Sequence, residues 1–396
     1  MKIFNFLFLF FYLILLIKAN EIPFNIMPGL FDSSKKETMG LELVPGIETV
    51  TVFSAEDDTN HYNNGVVMTW FKNNLYCMWQ TSPRDEDSID TMVVYSISED
   101  MGKTWSPPKN LSTPIKGYFC TSGGWLSNKD SLIAFINVFN SNNFKKFGGI
   151  TQFRESRDGE KWSNQTNLTM HDGSYLNGIF EQDPHRLPDG RIINAAHFQP
   201  GLKLCPIYTD DPTGKTGWKK GNFNYTPNGD QSVELEPSFF LQDDGILVMI
   251  ARDQKNRYVS LASKSDDRGE TWSKTYVTNM PDSRAKQCAG NLPDGTVFLV
   301  NNPGRVLTDD NKSWRVPLAI TLSKDGYIFT KSYLLRSGED GDYPQQKYTG
   351  YANTKGYSYP KAFIHDEYLY VSYSTNKDDA QYTRIPIKEI SLVDKE

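Results

Sequence analysis

The chain has 396 residues and a formal net charge of −6 at pH 7. It contains no basic tract and no interleaving of basic and aromatic residues, which excludes nucleic acid and anionic membrane surfaces as expected partners. The cysteines lack metal-ligand spacing, so we expect no metal and no cofactor. In an oxidising compartment they allow one or two disulfides. These cysteines are Cys77, Cys120, Cys205 and Cys288.

The chain opens with an apolar run from Ile3 to Ile17, preceded by one lysine and followed by Ala19. This run is too short to span a bilayer comfortably, and it predicts a signal peptide over residues 1–20, with an uncleaved anchor as the alternative. Five sequons fit a secretory route: Asn110, Asn164, Asn167, Asn224 and Asn311. We expect a secreted, extracellular monomer without a membrane span after cleavage, with the endolysosomal lumen as the alternative compartment.

One eight-residue phrase, Ser-x-Asp-x-Gly-x-Thr-Trp, begins at Ser98 and again at Ser265. Degenerate copies begin at Ser156, Thr209 and Ser323, and a very weak copy begins at Ser374. The spacing of the first five starts predicts a repeat of 53 to 58 residues. We interpret the phrase as a folding device. Its Asp accepts backbone N–H groups in a tight turn, its Gly adopts a positive φ, and its Trp packs under the turn.

Strand–turn–strand patterns recur with the same period, in residues 66–80, 123–139, 183–198, 236–253, 289–302 and 359–374. A four-stranded unit repeated about every 55 residues predicts a propeller blade. We therefore predict an all-β fold, a six-bladed β-propeller of four-stranded antiparallel blades, in one domain over residues 41–396. A strand within residues 41–53 would complete the last blade. Seven blades would require a degenerate N-terminal blade.

The repeated motif, known as an Asp box, and the predicted six-bladed propeller resemble the sialidase (neuraminidase) superfamily of BNR-repeat proteins. The resemblance covers most of residues 60–390. The resemblance implies a glycoside hydrolase that acts on sialic acid or a related acidic sugar of glycoconjugates. It also implies a retaining mechanism with a Tyr nucleophile activated by a Glu, and arginines that bind the substrate carboxylate. The boxes alone do not specify activity, because the same turn occurs in lyases, other glycosidases and non-enzymes.

The resemblance assigns site residues segment by segment. Glu236 matches the Glu that polarises the catalytic Tyr, and Arg252 and Arg315 match carboxylate-binding arginines. Tyr357, in the segment Tyr-Ser-Tyr-Pro, matches the nucleophile, with Tyr359 as the alternative. We expect Glu236 and Tyr357 within hydrogen-bond reach. Three further residues complete the set. Asp87 is assigned as the acid/base, and Arg84 and Arg305 are arginines that could line the central funnel of the propeller.

The first blade departs from the family pattern Tyr-Arg-Ile-Pro, since Asn63 stands in the apparent Arg position. An Asn would bind a hydroxyl or amide, so we expect poor activity on an ordinary sialoside and better activity on a uronic acid or modified sugar. Two other functions stay open. One is a propeller glycosidase or lyase acting on uronic-acid glycans. If it is a lyase, His61 or His197 could act as the base, and His61 would face a Tyr across the central funnel of the propeller. A non-catalytic glycan-binding propeller would lack a converging acid.

Overall fold

Six sheets, each with four antiparallel strands at its centre, surround a common axis in the computed structural model. The structure describes residues 21–86, 88–181, 183–199, 201–223, 235–304, 306–307, 313–337, 345–348 and 355–393. Within these ranges, helix is confined to two single turns, α1 (Phe144–Phe147) and α2 (Ile387–Ile390). The predicted six-bladed β-propeller of four-stranded blades is confirmed.

The strands, labelled in chain order, form blades 1 to 3 along the chain, while the N-terminal strands join later blades. The N-terminal strands are β1 (Asn25–Ile26) and β2 (Glu48–Phe53). Blade 1 consists of β3 (Tyr62–Phe71), β4 (Asn74–Ser82), β5 (Met92–Ser98) and β6 (Lys109–Asn110). Blade 2 consists of β7 (Tyr118–Ser127), β8 (Leu132–Asn140), β9 (Gly149–Ser156) and β10 (Thr166–Asn167). Blade 3 consists of β11 (Ile179–Phe180), β12 (His185–Arg186), β13 (Ile192–Phe198), β14 (Lys203–Thr209) and β15 (Lys219–Lys220).

Blades 4 to 6 continue the same order from the axis outwards. Blade 4 consists of β16 (Pro237–Leu241), β17 (Leu247–Ala251), β18 (Val259–Ser265) and β19 (Tyr276–Pro281). Blade 5 consists of β20 (Cys288–Asn291), β21 (Val297–Asn301), β24 (Leu318–Ser323) and β25 (Ile328–Arg336), with β1 parallel to β25 and a small ribbon of β22 (Val306–Leu307) and β23 (Ser313–Trp314). Blade 6 consists of β26 (Tyr357–His365), β27 (Tyr368–Thr375), β28 (Asp379–Pro386) and β2.

The ring closes through the N-terminal strand, because β2 pairs antiparallel with β28 and supplies the fourth strand of blade 6. This confirms the predicted closure by a strand within residues 41–53. The hydrophobic core lies between neighbouring blades rather than at the axis. Phe180 of blade 3, for example, packs against Phe135 of blade 2 with ring centroids 5.2 Å apart and against Trp218. Middle strands such as β8 are therefore buried on both faces, which explains their continuous apolar sequence.

The repeated phrase forms the turn that its chemistry predicted. In the first copy, Asp100 accepts hydrogen bonds from the Ser98 hydroxyl and from the backbone N–H and hydroxyl of Thr104. Gly102 follows with a φ of 89°. Each complete copy comes after the third strand of its blade, at the end of the propeller opposite the turns that join second and third strands. The interpretation of the phrase as a folding device is confirmed.

The copy predicted at Ser374 is wrong. Residues 376–378 form a three-residue turn between β27 and β28, the second and third strands of blade 6, and Asn376 and Lys377 both have positive φ. Blade 6 takes its fourth strand from the N-terminus, so the chain has no third-to-fourth connection in which to form the repeated turn. The turn lies at the opposite end of the propeller from the other copies.

All four cysteines are free, so no disulfide forms among them. No helix in the described part of the chain is long and apolar enough to cross a membrane.

The glycine of the repeated turn should be more sensitive to substitution than a glycine of equal backbone conformation in open space. Gly102 and Gly295 have φ values of 89° and 90°. A Cβ at Gly102 would lie 2.0 Å from the Tyr382 hydroxyl, whereas one at Gly295 would meet nothing within 4 Å. We expect Gly295→Ala to cost about 1–2 kcal/mol in unfolding free energy for the left-handed backbone. Gly102→Ala should add about 1–3 kcal/mol for overpacking.

Urea denaturation of the two variants measures this difference. Equal losses of stability in Gly102→Ala and Gly295→Ala would show that the close approach of Tyr382 to the turn does not matter.

Candidate active site

A cavity of about 450 Å³ opens at the end of the propeller where second strands finish and third strands begin, and residues from all six blades line it. Five cationic side chains face it, against three carboxylates. The cations are Arg252, Lys286, Arg315, Lys361 and Lys377, and the carboxylates are Glu86, Glu181 and Glu236. The described residues contain no group of three or more His, Cys, Asp or Glu side chains placed to hold a metal ion.

Tyr359 lies at the centre of these charges. A register shift in β26 between Ser358 and Lys361, together with a φ of 58° at Tyr359, turns this side chain into the cavity. Three cations face its ring, with Arg315 4.9 Å, Lys286 5.3 Å and Lys377 5.7 Å from the ring centroid. Burial raises the pKa of the Tyr359 hydroxyl, and the Glu236 carboxylate raises it further. The hydroxyl is therefore neutral and needs a base before it can act as a nucleophile.

Glu236 and Arg252 are brought together by the hairpin of β16 and β17. Pro237 pairs with Ala251 in this hairpin, so the residues that flank the pair, Glu236 and Arg252, stand opposite each other at its end. The Arg252 Nη1 atom lies 2.6 Å from the Glu236 Oε2 atom. No hydrogen bond joins the side chains of Glu236 and Tyr359, which both belong to the described part of the chain. Their interaction is electrostatic, since the Glu236 charge acts on the Tyr359 hydroxyl. Catalytic hydrogen bonds are often long in empty sites and shorten when substrate binds.

Arg315 is the cation of the cavity that makes no ion pair with any carboxylate of the described residues. Arg315 is only 7% exposed. Its Nη1 atom is buried and has no hydrogen-bond partner among the described residues. Its backbone is fixed, because its carbonyl accepts hydrogen bonds from Asn302 and from the Tyr357 N–H. A buried guanidinium that faces a cavity in this way is suited to bind an anion, and a carboxylate matches its planar donors best.

The remaining cations of the cavity are each held by a carboxylate. Lys286 lies 3.2 Å from Glu181, which also contacts His197 at 3.1 Å. Two further pairs have the same separation of 3.2 Å, namely Lys361 with Asp183 and Lys377 with Glu86. None of these lysines or carboxylates was predicted from the sequence, because each pair joins two different blades and no local motif marks it.

The site residues predicted from the sequence separate into two groups. Glu236, Arg252 and Arg315 line the cavity together, with Tyr359, the alternative nucleophile. Tyr357 does not reach the cavity. Its side chain is fully buried against Tyr373, and its hydroxyl donates to the Ser337 carbonyl at 2.7 Å.

Asn63 is also placed away from the cavity, and both ends of its amide are occupied. The side-chain NH₂ donates to the carbonyls of Asn60 and Asp378, and the side-chain oxygen accepts from Trp79 and Thr81. It therefore has little capacity left for a substrate.

Arg84 lies at the surface with 76% of its side chain exposed, 3.7 Å from Asp90. Asp87 and Arg305 lie outside the described residues, and their roles stay predictions. Neither histidine considered as a base has the arrangement expected for a lyase. His61 stacks on Tyr348 and does not line the cavity. His197 lines it, but its ring nitrogens contact Glu181 and the Leu235 carbonyl.

Comparisons with known proteins agree with this architecture. No curated protein matches the chain by sequence. Among solved structures, a sialidase aligns with a TM-score of 0.62 and 18% identity over 92% of this chain and 35% of its own, so this chain spans about a third of that enzyme. The intramolecular trans-sialidase from Ruminococcus gnavus aligns with a TM-score of 0.61 and 14% identity, over 87% of this chain and 99% of its own.

The Trypanosoma rangeli sialidase aligns with a TM-score of 0.63 and 15% identity, over 89% of this chain and 61% of its own. At these identities the alignments show a shared fold. The family model described as BNR repeat-like domain matches residues 72–371, which is most of the propeller. The chain therefore belongs to the BNR repeat-like domain family.

Proposed function

We propose that the protein is a glycoside hydrolase of the sialidase type, which removes an acidic sugar from glycoconjugates and retains the configuration at the anomeric carbon. The observation that carries this proposal is the grouping in one cavity of Tyr359, Glu236 and Arg315, whose guanidinium pairs with no carboxylate among the described residues. Two structural relatives support the choice of ligand. The R. gnavus protein was solved with oseltamivir carboxylate, and the T. rangeli sialidase as a covalent intermediate with 2,3-difluorosialic acid.

The chemistry starts from the charge of the substrate. An acidic sugar presents its carboxylate to Arg315, whose Nη1 lacks a partner among the described residues. A carboxylate nucleophile would be repelled by the sugar's own carboxylate, whereas the neutral Tyr359 hydroxyl is not. As the Tyr359 oxygen bonds to the anomeric carbon, Glu236 accepts its proton. Arg252 keeps Glu236 oriented for that step through the ion pair between them.

The position of Asn63 removes the reason for preferring a uronic acid over a sialic acid. Its amide is committed to the protein, and the cavity obtains a further cation from Lys377 instead. Both sugar classes therefore belong in the test of function. Secretion also stays a proposal, supported by the apolar N-terminus and the sequons, and N-terminal sequencing of the mature protein tests it.

The proposed function is tested by measuring hydrolysis of an aryl α-sialoside, an aryl β-glucuronide and, as the matched neutral control, an aryl β-glucoside. We expect turnover of at least one acidic glycoside with retained configuration, seen by NMR of the first-formed product. The neutral glycoside lacks a carboxylate to bind Arg315. For this reason alone we expect its kcat/KM to be at least about 10-fold lower than that of the acidic glycoside. Binding of the free acidic sugars without turnover of any glycoside would contradict the proposal and indicate a lectin-like protein.

A further inference from the structure

The Lys377–Glu86 ion pair lies at the cavity but has no role in the hydrolysis proposed above. The reaction requires a proton donor for the leaving oxygen, and Glu86 is a carboxyl group at the cavity across from the Glu236–Arg252 hairpin. Asp87, predicted for this role, lies outside the described residues. Glu86 is joined at 3.2 Å to Lys377, a lysine with only 3% of its side chain exposed.

Lys377 is held at the cavity by the turn that carries it. Asn63 donates its backbone N–H to the Lys377 carbonyl and its side-chain NH₂ to the Asp378 carbonyl, both at 2.7 Å. The turn thus fixes the backbone of Lys377 in a left-handed conformation with a φ of 60°. Its ammonium forms one ion pair within the described residues, and that pair is with Glu86. Asn63 is therefore a positioning residue for Lys377.

Four groups from three blades face Glu86: Lys377, the Tyr62 hydroxyl, Arg315 and Tyr359. Burial alone would raise the pKa of the Glu86 carboxyl, but Lys377, with help from Tyr62 and Arg315, brings it below the ordinary value. In the empty cavity Glu86 is thus ionised, and an ionised carboxylate cannot donate a proton to a leaving group.

We propose that Glu86 is the general acid and that an anionic sugar prepares it by attracting the Lys377 ammonium away from it. This inference rests on the proposed function. The Lys377 ammonium lies 5.7 Å from the Tyr359 ring, and Arg315 lies 4.9 Å from the same ring. A sugar carboxylate bound to Arg315 therefore arrives beside Lys377. It competes for the ammonium and adds a negative charge near Glu86.

Both changes favour the protonated form of Glu86, since a buried carboxyl that loses its cationic partner and gains an anionic neighbour binds a proton more tightly. In the bond-breaking step, the Glu86 proton passes to the glycosidic oxygen, and the bond from that oxygen to the anomeric carbon breaks. At the same time the Tyr359 oxygen bonds to the anomeric carbon, and the Tyr359 proton passes to Glu236. In the second step, water attacks the anomeric carbon and gives a proton to Glu86. The bond between that carbon and the Tyr359 oxygen breaks, and the Tyr359 oxygen regains its proton from Glu236.

The first test is proton uptake on binding, measured by titration calorimetry in buffers of different ionisation enthalpy. Free N-acetylneuraminic acid and glucuronic acid are the probes. We expect the wild type to take up as much as one proton per bound sugar at pH values between the lowered pKa of Glu86 in the free protein and its higher pKa in the complex. Glu86→Gln should bind the sugar without uptake. Lys377→Met should take up less than the wild type, because the cation that lowers the pKa of Glu86 most is already absent before the sugar binds. A wild type that binds a sugar without proton uptake would overturn the proposal.

The second test is the dependence of rate on the leaving group. Glu86→Gln should lose about 10²–10⁴-fold in kcat on a glycoside with an alkyl or sugar leaving group, but much less on an activated aryl glycoside. If Asp87→Asn shows this signature and Glu86→Gln does not, Asp87 is the acid and the proposal is wrong. The double variant Glu86→Gln/Lys377→Met removes both charges of the pair. It shows whether a loss in Glu86→Gln comes only from an uncompensated buried lysine.

The two proposals fail in distinguishable ways. If no glycoside is hydrolysed, the proposed function is wrong, yet proton uptake with the free sugars still tests the response of Glu86 to an anion. If hydrolysis is found without proton uptake, the proposed function stands and the role of Lys377 is rejected.

Discussion

Replacement of Tyr359 by Phe should abolish most of the proposed hydrolytic activity, lowering kcat on the order of 10³-fold or more, because it removes the proposed nucleophile. Tyr359 lines the cavity with its ring facing Arg315, and Phe keeps the ring and its contacts. The substitution should therefore leave the fold and the affinity for the free acidic sugar nearly unchanged. Steady-state kinetics on the preferred aryl glycoside and calorimetric binding of the free sugar measure the two effects separately.

Tyr357→Phe is the matched control, because it makes the same change two residues away in the same strand. The Tyr357 hydroxyl donates to the Ser337 carbonyl and does not reach the cavity. Its loss should cost about 0.5–1.5 kcal/mol of stability and leave kcat within a few-fold of the wild type. The assignment fails if Tyr357→Phe is the inactive variant and Tyr359→Phe turns over normally.

Replacement of Arg315 by Met should weaken binding of the acidic sugar by about 10- to 100-fold, as expected when one or two charge-assisted hydrogen bonds are lost. Because Arg315 pairs with no carboxylate of the described chain, its removal leaves no buried negative charge uncompensated. The hydrogen bonds of its carbonyl with Asn302 and Tyr357 are made by the backbone and persist. The protein should therefore fold, and the defect should appear in the dissociation constant of the free sugar.

Arg84→Met provides the control for loss of an arginine near the first blade. Arg84 has 76% of its side chain exposed, and exposed ion pairs contribute little. We expect its sugar affinity to equal that of the wild type. Equal losses of affinity in Arg84→Met and Arg315→Met would indicate a general effect of net charge and would contradict a specific carboxylate contact at Arg315.

The features predictable from the sequence are those determined by local pattern. The repeated turn needs an Asp, a Gly and a Trp at fixed spacing, so its period reveals the number of blades. The Glu236–Arg252 pair is encoded by one hairpin, in which residues just outside the Pro237–Ala251 pair must face each other. Local pairing of this kind leaves an interval in the sequence that can be recognised.

Features that depend on distant parts of the chain or on irregular backbone were not predictable in the same way. Regular alternation would place Tyr357 and Tyr359 on the same face of β26. The register shift and the positive φ of Tyr359 separate them. Pro360 lies within the shifted segment and is a sign of a bulge, but it does not show which Tyr turns into the cavity. Lys377 meets Glu86 only because the ring brings blade 6 beside blade 1. The Asn in the turn of Lys377 could have indicated a hairpin turn there, but its neighbouring Ser and Asp residues resembled the repeated turn.

The most direct measurement of the central claim is covalent trapping of the nucleophile. The protein is incubated with 2,3-difluorosialic acid, or with the corresponding fluoro sugar of whichever acidic glycoside it hydrolyses, and the labelled peptide is identified by mass spectrometry. If Tyr359 is the nucleophile of a retaining mechanism, the adduct forms on Tyr359 and is absent from Tyr359→Phe. An adduct on Tyr357 or on a carboxylate such as Glu86 or Glu236, or turnover with inverted configuration and no adduct, would contradict the account.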